Sequence, residues 1–196
     1  MVELILVRHG ETASNKKGTY CGWTDVELNE EGIKQAQEVQ KKLAGLQVDS
    51  IYSSPLKRAS KTAEIINENF KLEIMYSDNL KERNFGVWDN LDYGEIAGRF
   101  PEEHSLWVKD WVNYCMQDGE SAYQQYKRVA QFTEELTSSH ESGTFVIVTH
   151  HGCIRIILAY LLGMKVEDTW HFKVGNGSIT RIEIVHGYPV LTLLNG

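Results

Sequence analysis

Three stretches of this sequence set basic or imidazole side chains directly after an apolar run. "LVRHGET" (Leu6 to Thr12) puts Arg8 and His9 beside Gly10, "SSPLKR" leads to Arg58, and "VTHHG" leads to His150 and His151. A guanidinium binds two phosphate oxygens at once, and helix N-termini add partial positive charge, so a crevice holding Arg8 and Arg58 suits a phosphoryl dianion. Neutral imidazole is a good nucleophile toward phosphorus when its other nitrogen is fixed by a hydrogen bond, often to a backbone carbonyl. In this reading arginine aligns the phosphoryl group and histidine attacks it. Taken singly, the residues leave a plainer reading open, in which the arginines form surface ion pairs and the histidines are satisfied polar groups. No H-E-x-x-H, H-x-H or carboxylate pair beside His9 suggests a metal site, and Gly10 stands alone where a dinucleotide would require G-x-G-x-x-G. Neither a metal nor a cofactor is therefore expected.

Such residues meet only if strands deliver them to one edge. "ELILV" (Glu3 to Val7) and "TFVIVT" (Thr144 to Thr149) have the β-branched and leucine content of strands buried on both faces, and "SIYSS" (Ser50 to Ser54) is a weaker third. Amphipathic segments lie between them. Asn29 caps a helix with Ile33, Ala36, Val39 and Leu43 on its apolar side, stopped by Gly45. Pro55 opens another at its first helical position, with Arg58 in the first turn. A long helix runs from Ser121 toward His140, and "CIRIILAYLLG" is a mostly apolar helix closed by Gly163. The tail alternates through "ITRIEIV", turns at His186-Gly187 and returns as "PVLTLL", which reads as a terminal hairpin. Strands separated by helices imply right-handed crossovers between parallel strands. The expected fold is an α/β three-layer sandwich: a mostly parallel central sheet, helices on both faces and a C-terminal antiparallel hairpin. Ligands in such sheets collect at the carboxyl ends of the strands, where all three basic clusters fall.

The 196 residues fit one domain, expected to span 1–196 with a helical cap inserted around 77–119. Trp88, Trp107 and Trp111 lie in that insertion, and Trp107 and Trp111, four apart, are expected to share one helix face. They are expected to pack the cap onto the sheet, and the sharper alternative makes one or two of them the apolar wall of a substrate pocket. A formal charge of −7 without a basic run argues against nucleic acid. No apolar run is long enough for a membrane span, and the first residues read as a strand rather than a signal peptide. Three widely spaced cysteines suggest neither a disulfide framework nor a zinc knuckle, and a cytoplasmic location is expected.

Together, "LVRHGET" followed by Asn15, "SSPLKRASKTA" (Ser53 to Ala63), "LKERNFG" (Leu80 to Gly86) and "VTHHG" resemble the four signature blocks of the histidine phosphatase superfamily, which has the phosphoglycerate-mutase-like fold. "GWTDVELNEEGIKQA" (Gly22 to Ala36) matches the segment after the first block. The resemblance covers nearly the whole chain in the right order. It implies that His9 accepts the phosphoryl group, that Arg8 and Arg58 grip its oxygens with Asn15 as a further contact, and that His150 donates a hydrogen bond to it. By the same resemblance Glu82 protonates the leaving oxygen and later helps water attack the phosphohistidine. Without the motif, Glu82 reads as an exposed loop carboxylate paired with Arg83. The substrate implied is a small phosphate monoester, with no cofactor. The compact size and "YCGWTDVEL" are similar to α-ribazole phosphatases, which act in cobalamin biosynthesis, and broad-specificity phosphatases are nearly as similar. Phosphoglycerate mutase is the alternative within the superfamily, and a non-catalytic phospho-ligand-binding module is the alternative outside it. Asp89-Asn90 departs from the Glu-Gly pair common after this tryptophan in such phosphatases.

Overall fold

The apolar run after Met1 becomes β1 (Val2–Arg8), a central strand whose Leu4, Ile5, Leu6 and Val7 are all fully buried. The computed structural model describes residues 1–196. The other strands are β2 (Ser50–Ser53), β3 (Ile74–Tyr76), β4 (Gly143–Thr149), β5 (Ile179–Val185) and β6 (Tyr188–Leu193). They form one six-stranded sheet in the order β3-β2-β4-β1-β5-β6. β1, β2, β3 and β4 pair in parallel, whereas β5 runs antiparallel to β1 and to β6. The hairpin turns at His186 and Gly187, both at positive φ (51° and 80°), which is what a two-residue turn matched to strand twist requires. Pro189 sits in the outer strand β6, where its missing N–H costs no central ladder bond.

Seven α-helices accompany the sheet: α1 (Ala13–Lys17), α2 (Glu30–Lys42), α3 (Lys57–Asn67), α4 (Tyr93–Arg99), α5 (Pro101–Lys109), α6 (Ala122–Ser138) and α7 (His151–Leu161). The twofold alternation of the strands divides them between two cores. Leu4, Leu6, Phe145 and Ile147 join Val129, Phe132 and Leu136 of α6 and the apolar side of α7. Ile5, Val7, Val146 and Val148 join Val39 of α2 and Ala59, Ala63 and Ile66 of α3. The expected sandwich with helices on both faces is thus formed.

Three local expectations are corrected. The α2 cap holds as expected, with the Asn29 side chain accepting from the Gly32 N–H at 2.8 Å, but Ile33 is exposed. The side chain-free Gly32 instead lies against the backbone of Gly10 and Glu11, where a Cβ on either glycine would collide with the other segment. Pro55 does not begin α3: residues 55 and 56 stay non-helical and the helix starts at Lys57. Trp107 and Trp111 do not share a helix, because α5 ends at Lys109. The short β3 was not anticipated, since Ile74, Met75 and Tyr76, though apolar or aromatic, are too short a run to show a strand period, and they are only intermediate or exposed.

Candidate active site

Strand register brings the three basic clusters to one edge. Arg8 is paired with Thr149 across β1 and β4, and Ser53 with Val148 across β2 and β4. The ladder continues one step further, with the His9 N–H donating to Thr149 O at 3.0 Å and the Ser54 N–H to Val148 O at 3.0 Å. His9 and His150 consequently lie side by side, ring centroids 5.1 Å apart at 63°. His9 Nδ1 is 2.7 Å from the carbonyl oxygen of Gly10. A carbonyl only accepts, so Nδ1 carries the proton and Nε2 keeps its lone pair. Burial, followed by the charges of Arg58 and Arg8, holds the His9 pKa well below the usual imidazole value. The ring is therefore neutral at neutral pH, which nucleophilic attack requires.

The arginines of the site are held by backbone carbonyls rather than carboxylates. Arg8 Nη1 donates to Val174 O at 2.7 Å, leaving its buried Nε without a partner. Arg58 is fully buried and donates to the carbonyls of Thr24 (3.0 Å), Gly22 (2.6 Å) and Cys21 (3.4 Å). His150 Nε2 lies 2.8 Å from Ser54 Oγ, while its buried Nδ1 has no partner. Asn15 Oδ1 accepts from the Thr12 N–H and from Asn176 Nδ2, both at 3.1 Å, so the amide nitrogen is the end of Asn15 left for an anion.

Glu82 is no exposed loop carboxylate. Its Oε1 accepts from the Arg83 N–H (2.9 Å) and Gln125 Nε2 (2.8 Å), and its Oε2 from the Gly152 N–H in the first turn of α7 (3.0 Å). Gly152 permits that approach, since a Cβ there would run into Glu82 Oε1. Burial alone would raise the Glu82 pKa, but the two backbone N–H groups and the nearby His151 and Gln125 outweigh it, so the carboxyl sits below the usual range. It is ionised in the ligand-free protein. Arg83 is not its partner: the Arg83 guanidinium donates to Glu120 O and Tyr114 O. The other carboxylates near the site in sequence are engaged elsewhere, Glu11 with Asn29 and Glu120 with Arg128.

Arg8, His9, Asn15 and Glu82 line one cavity of about 300 Å³, with Arg58 and His150 absent from its lining. The tryptophans divide between two surroundings, and Trp88 packs within its own segment rather than onto the sheet. Trp88 packs with Ile96 and Met116 in a small core of the segment between β3 and α6. Trp107 and Trp111 line the cavity, joined there by Tyr20, Phe85 and Trp170. Asp89 ties this segment to the loop between α1 and α2. Its carboxylate accepts from the Gly22 N–H (2.6 Å), the Thr24 N–H (2.8 Å) and Thr24 Oγ1 (2.8 Å), so it grips the turn whose carbonyls hold Arg58. Asn90, at φ 65°, adds a bond from its backbone N–H to Tyr20 O.

Gln125, His151 and Arg155 also reach the cavity and are not among the expected site residues. Arg155 did carry a signal: it is the single charge in an otherwise apolar helix, four residues after His151 and hence on the same face. Cys153 is buried, its thiol pushed up to about 12 chiefly by desolvation, and lies 3.0 Å from Lys81 O beneath the segment leading to Glu82. No group of three or more His, Cys, Asp or Glu side chains is placed to hold a metal ion, and no helix is long and apolar enough to cross a membrane.

The family model for the histidine phosphatase superfamily (branch 1) matches residues 4–196. Phosphoserine phosphatase 1 of Hydrogenobacter thermophilus is 37% identical over 100% of this chain and 92% of its own length. Adenosylcobalamin/alpha-ribazole phosphatase of Escherichia coli is 31% identical over 99% of this chain and 96% of its own. Among solved structures, a putative alpha-ribazole-5'-P phosphatase from Escherichia coli superposes with a TM-score of 0.95 at 31% identity, covering 100% of this chain and 96% of that one. A phosphoserine phosphatase mutant from Entamoeba histolytica in complex with phosphoserine superposes with a TM-score of 0.86 at 36% identity, covering 100% and 98%.

Proposed function

The chain belongs to the histidine phosphatase superfamily (branch 1) and is a phosphoric monoester hydrolase, and from that premise we propose that it works through a phosphohistidine on His9 without a metal. The observation that carries this reading is the neutral His9 ring, fixed through Nδ1 on Gly10 O in the cavity that Arg8 and Glu82 share. Nε2 forms a bond to phosphorus as the ester P–O bond breaks, and the electron pair leaves on the ester oxygen. Glu82 gives that oxygen its proton. Water then attacks the phosphohistidine, passes a proton to Glu82, and the N–P bond opens to release phosphate. Arg8 Nε, Asn15 Nδ2 and His150 Nδ1 are the donors suited to the phosphoryl oxygens, and Arg58 adds its charge beside both histidines.

The pH dependence tests this assignment. Glu82 is ionised in the free protein at neutrality, and a bound phosphate dianion raises its pKa by like-charge repulsion. The basic limb of kcat, which reports the complex, will therefore lie at higher pH than the basic limb of kcat/KM, which reports the free enzyme. The limits belong to the coupled site rather than to single residues. Profiles taken in chelator on one alkyl phosphate check both points. Superimposable basic limbs, or activity lost to the chelator, would count against the assignment.

The role of Arg58 is separable from that of Arg8. Arg58→Ala will raise KM and lower kcat together, with a loss in kcat/KM of roughly tenfold to hundredfold, the range of a charge-assisted hydrogen bond. Arg58→Lys will recover only part, because an ammonium cannot satisfy the three carbonyls that the planar fork reaches. Arg58→Ala activity within twofold of the parent would remove this residue from the site.

Relatives are named for alpha-ribazole 5'-phosphate and for phosphoserine. The aromatic wall of Trp107, Trp111, Trp170, Tyr20 and Phe85 offers a surface on which the benzimidazole base of the first can stack, and does not by itself choose between the two. A panel of kcat/KM values on both compounds and on phosphoglycerates separates a specialist from a generalist, for which the values would be similar throughout.

A further inference from the structure

Arg155 is 6% exposed and lines the cavity from α7, and no carboxylate accepts a hydrogen bond from it, although the charge of Glu82 reaches it. Its Nε donates to Thr169 O, and its guanidinium lies over the Trp170 ring, 4.3 Å from the centroid. Trp170 is in turn met edge-on by Trp111 at 5.8 Å. These contacts fix the plane of the guanidinium and leave its buried Nη2 without any hydrogen-bond partner. An unpaired buried donor on a charged group is costly, and such groups are normally satisfied. The rest of the site does not relieve it. Glu82 is already filled by Gly152, Arg83 and Gln125.

Charge matching narrows what Arg155 can hold. The phosphoryl dianion is balanced by Arg8 and Arg58. The Arg83 guanidinium is spoken for by two backbone carbonyls. Apart from Arg8, Arg155 is the cavity guanidinium left with a buried N–H unpaired. The Glu82 carboxylate acts on its charge without accepting a hydrogen bond from it, and the planar end of Arg155 suits two oxygens of a monoanion better than a second phosphate. We infer that Arg155 is a specificity-determining residue that binds a carboxylate on the non-phosphoryl part of the substrate, with Trp170 and Trp111 holding its guanidinium in place. The inference rests on the phosphatase reading above and narrows its substrate class to phosphorylated hydroxy or amino acids. A neutral leaving group would use the aromatic wall and leave Nη2 unpaired.

The test is two matched pairs of monoesters that differ at the carboxylate: 3-phosphoglycerate against glycerol 3-phosphate, and O-phosphoserine against O-phosphoethanolamine. In the intact protein the carboxylate member of each pair will have the higher kcat/KM, by roughly tenfold to hundredfold. In Arg155→Gln that ratio will fall toward one, with most of the change in KM for the carboxylate member. Arg155→Lys will restore part of it, since it keeps the charge and loses the fork. A ratio near one in the intact protein overturns the inference whether or not the variants fold. So does an Arg155→Gln that lowers both members of a pair equally, which would make the residue a structural brace. Faster turnover of a diol bisphosphate or a neutral nucleoside 5'-phosphate than of either carboxylate would overturn it too. Absence of turnover on all four esters, with turnover of alpha-ribazole 5'-phosphate or nitrophenyl phosphate retained, overturns this inference and leaves the phosphatase reading standing, whereas absence of turnover on those two esters as well would sink the phosphatase reading itself.

Discussion

Replacing His9 with alanine will abolish turnover, lowering kcat on the order of 10⁴- to 10⁶-fold, the scale of losing the nucleophile from a working catalytic unit. The effect is large because no neighbour substitutes for it. His150 is the nearest ring, but its Nε2 is taken by Ser54 Oγ and its pKa is held well below the usual value by burial and by Arg58. His151 lies in the cavity but at the start of α7, with its pKa lowered to about 4 mainly by burial. Rapid quenching of the parent will trap an acid-labile phosphoenzyme, and the alanine variant will trap none. The fold should survive, since His9 sits at the end of β1 and its backbone bond to Thr149 O does not involve the side chain. A phosphoenzyme of unchanged yield in the variant, or phosphate mapped to another residue, would refute the assignment.

Glu82→Gln will reveal its role through the leaving group. An alkoxide needs a proton to depart and a nitrophenolate does not, so kcat on an alkyl phosphate will fall by roughly 10²- to 10⁴-fold while nitrophenyl phosphate loses far less. Glutamine is nearly isosteric, and its carbonyl oxygen can still accept from Gly152 or Arg83, which keeps the site assembled. The ratio of the two rates in parent and variant is the measurement. Equal losses on both substrates would make Glu82 a positioning group. No other carboxylate then stands ready, because Glu11, Glu120 and Asp89 are each bound to partners outside the reaction.

Much of this site was legible because its residues sit where secondary structure changes type. β1 and β4 announce themselves as β-branched runs, and His9 and His150 follow them with no intervening loop. Parallel register does the rest, so the meeting of Arg8, His9 and His150 follows from the topology once the strands are paired. What stayed hidden depends on the absence of a side chain or on distant contacts. Gly32 faces the strand end in place of Ile33 because backbone meets backbone there, which no apolar periodicity encodes. α3 starts only at Lys57, three residues beyond Ser54, whose Oγ lies beside His150, a contact across 96 residues. Gln125 belongs to the site only because α6 passes under Glu82, a contact across 43 residues. Asp89 looked like a departure from a familiar pattern, and its three bonds to the turn at Gly22 and Thr24 show what the departure accomplishes.

That clasp makes two equilibria into one. The turn from Cys21 to Thr24 offers its N–H groups to Asp89 and its carbonyls to Arg58, so it is shared between the segment that carries the tryptophans and the arginine beside the histidines. Moving that segment outward would pull the turn away and strip the guanidinium of its acceptors in the same movement. By linkage, whatever steadies one side steadies the other to the same degree. Inorganic phosphate held at Arg8 and Arg58 should slow amide exchange at Gly22 and Thr24 and, through Asp89, at Trp88 and its neighbours as well.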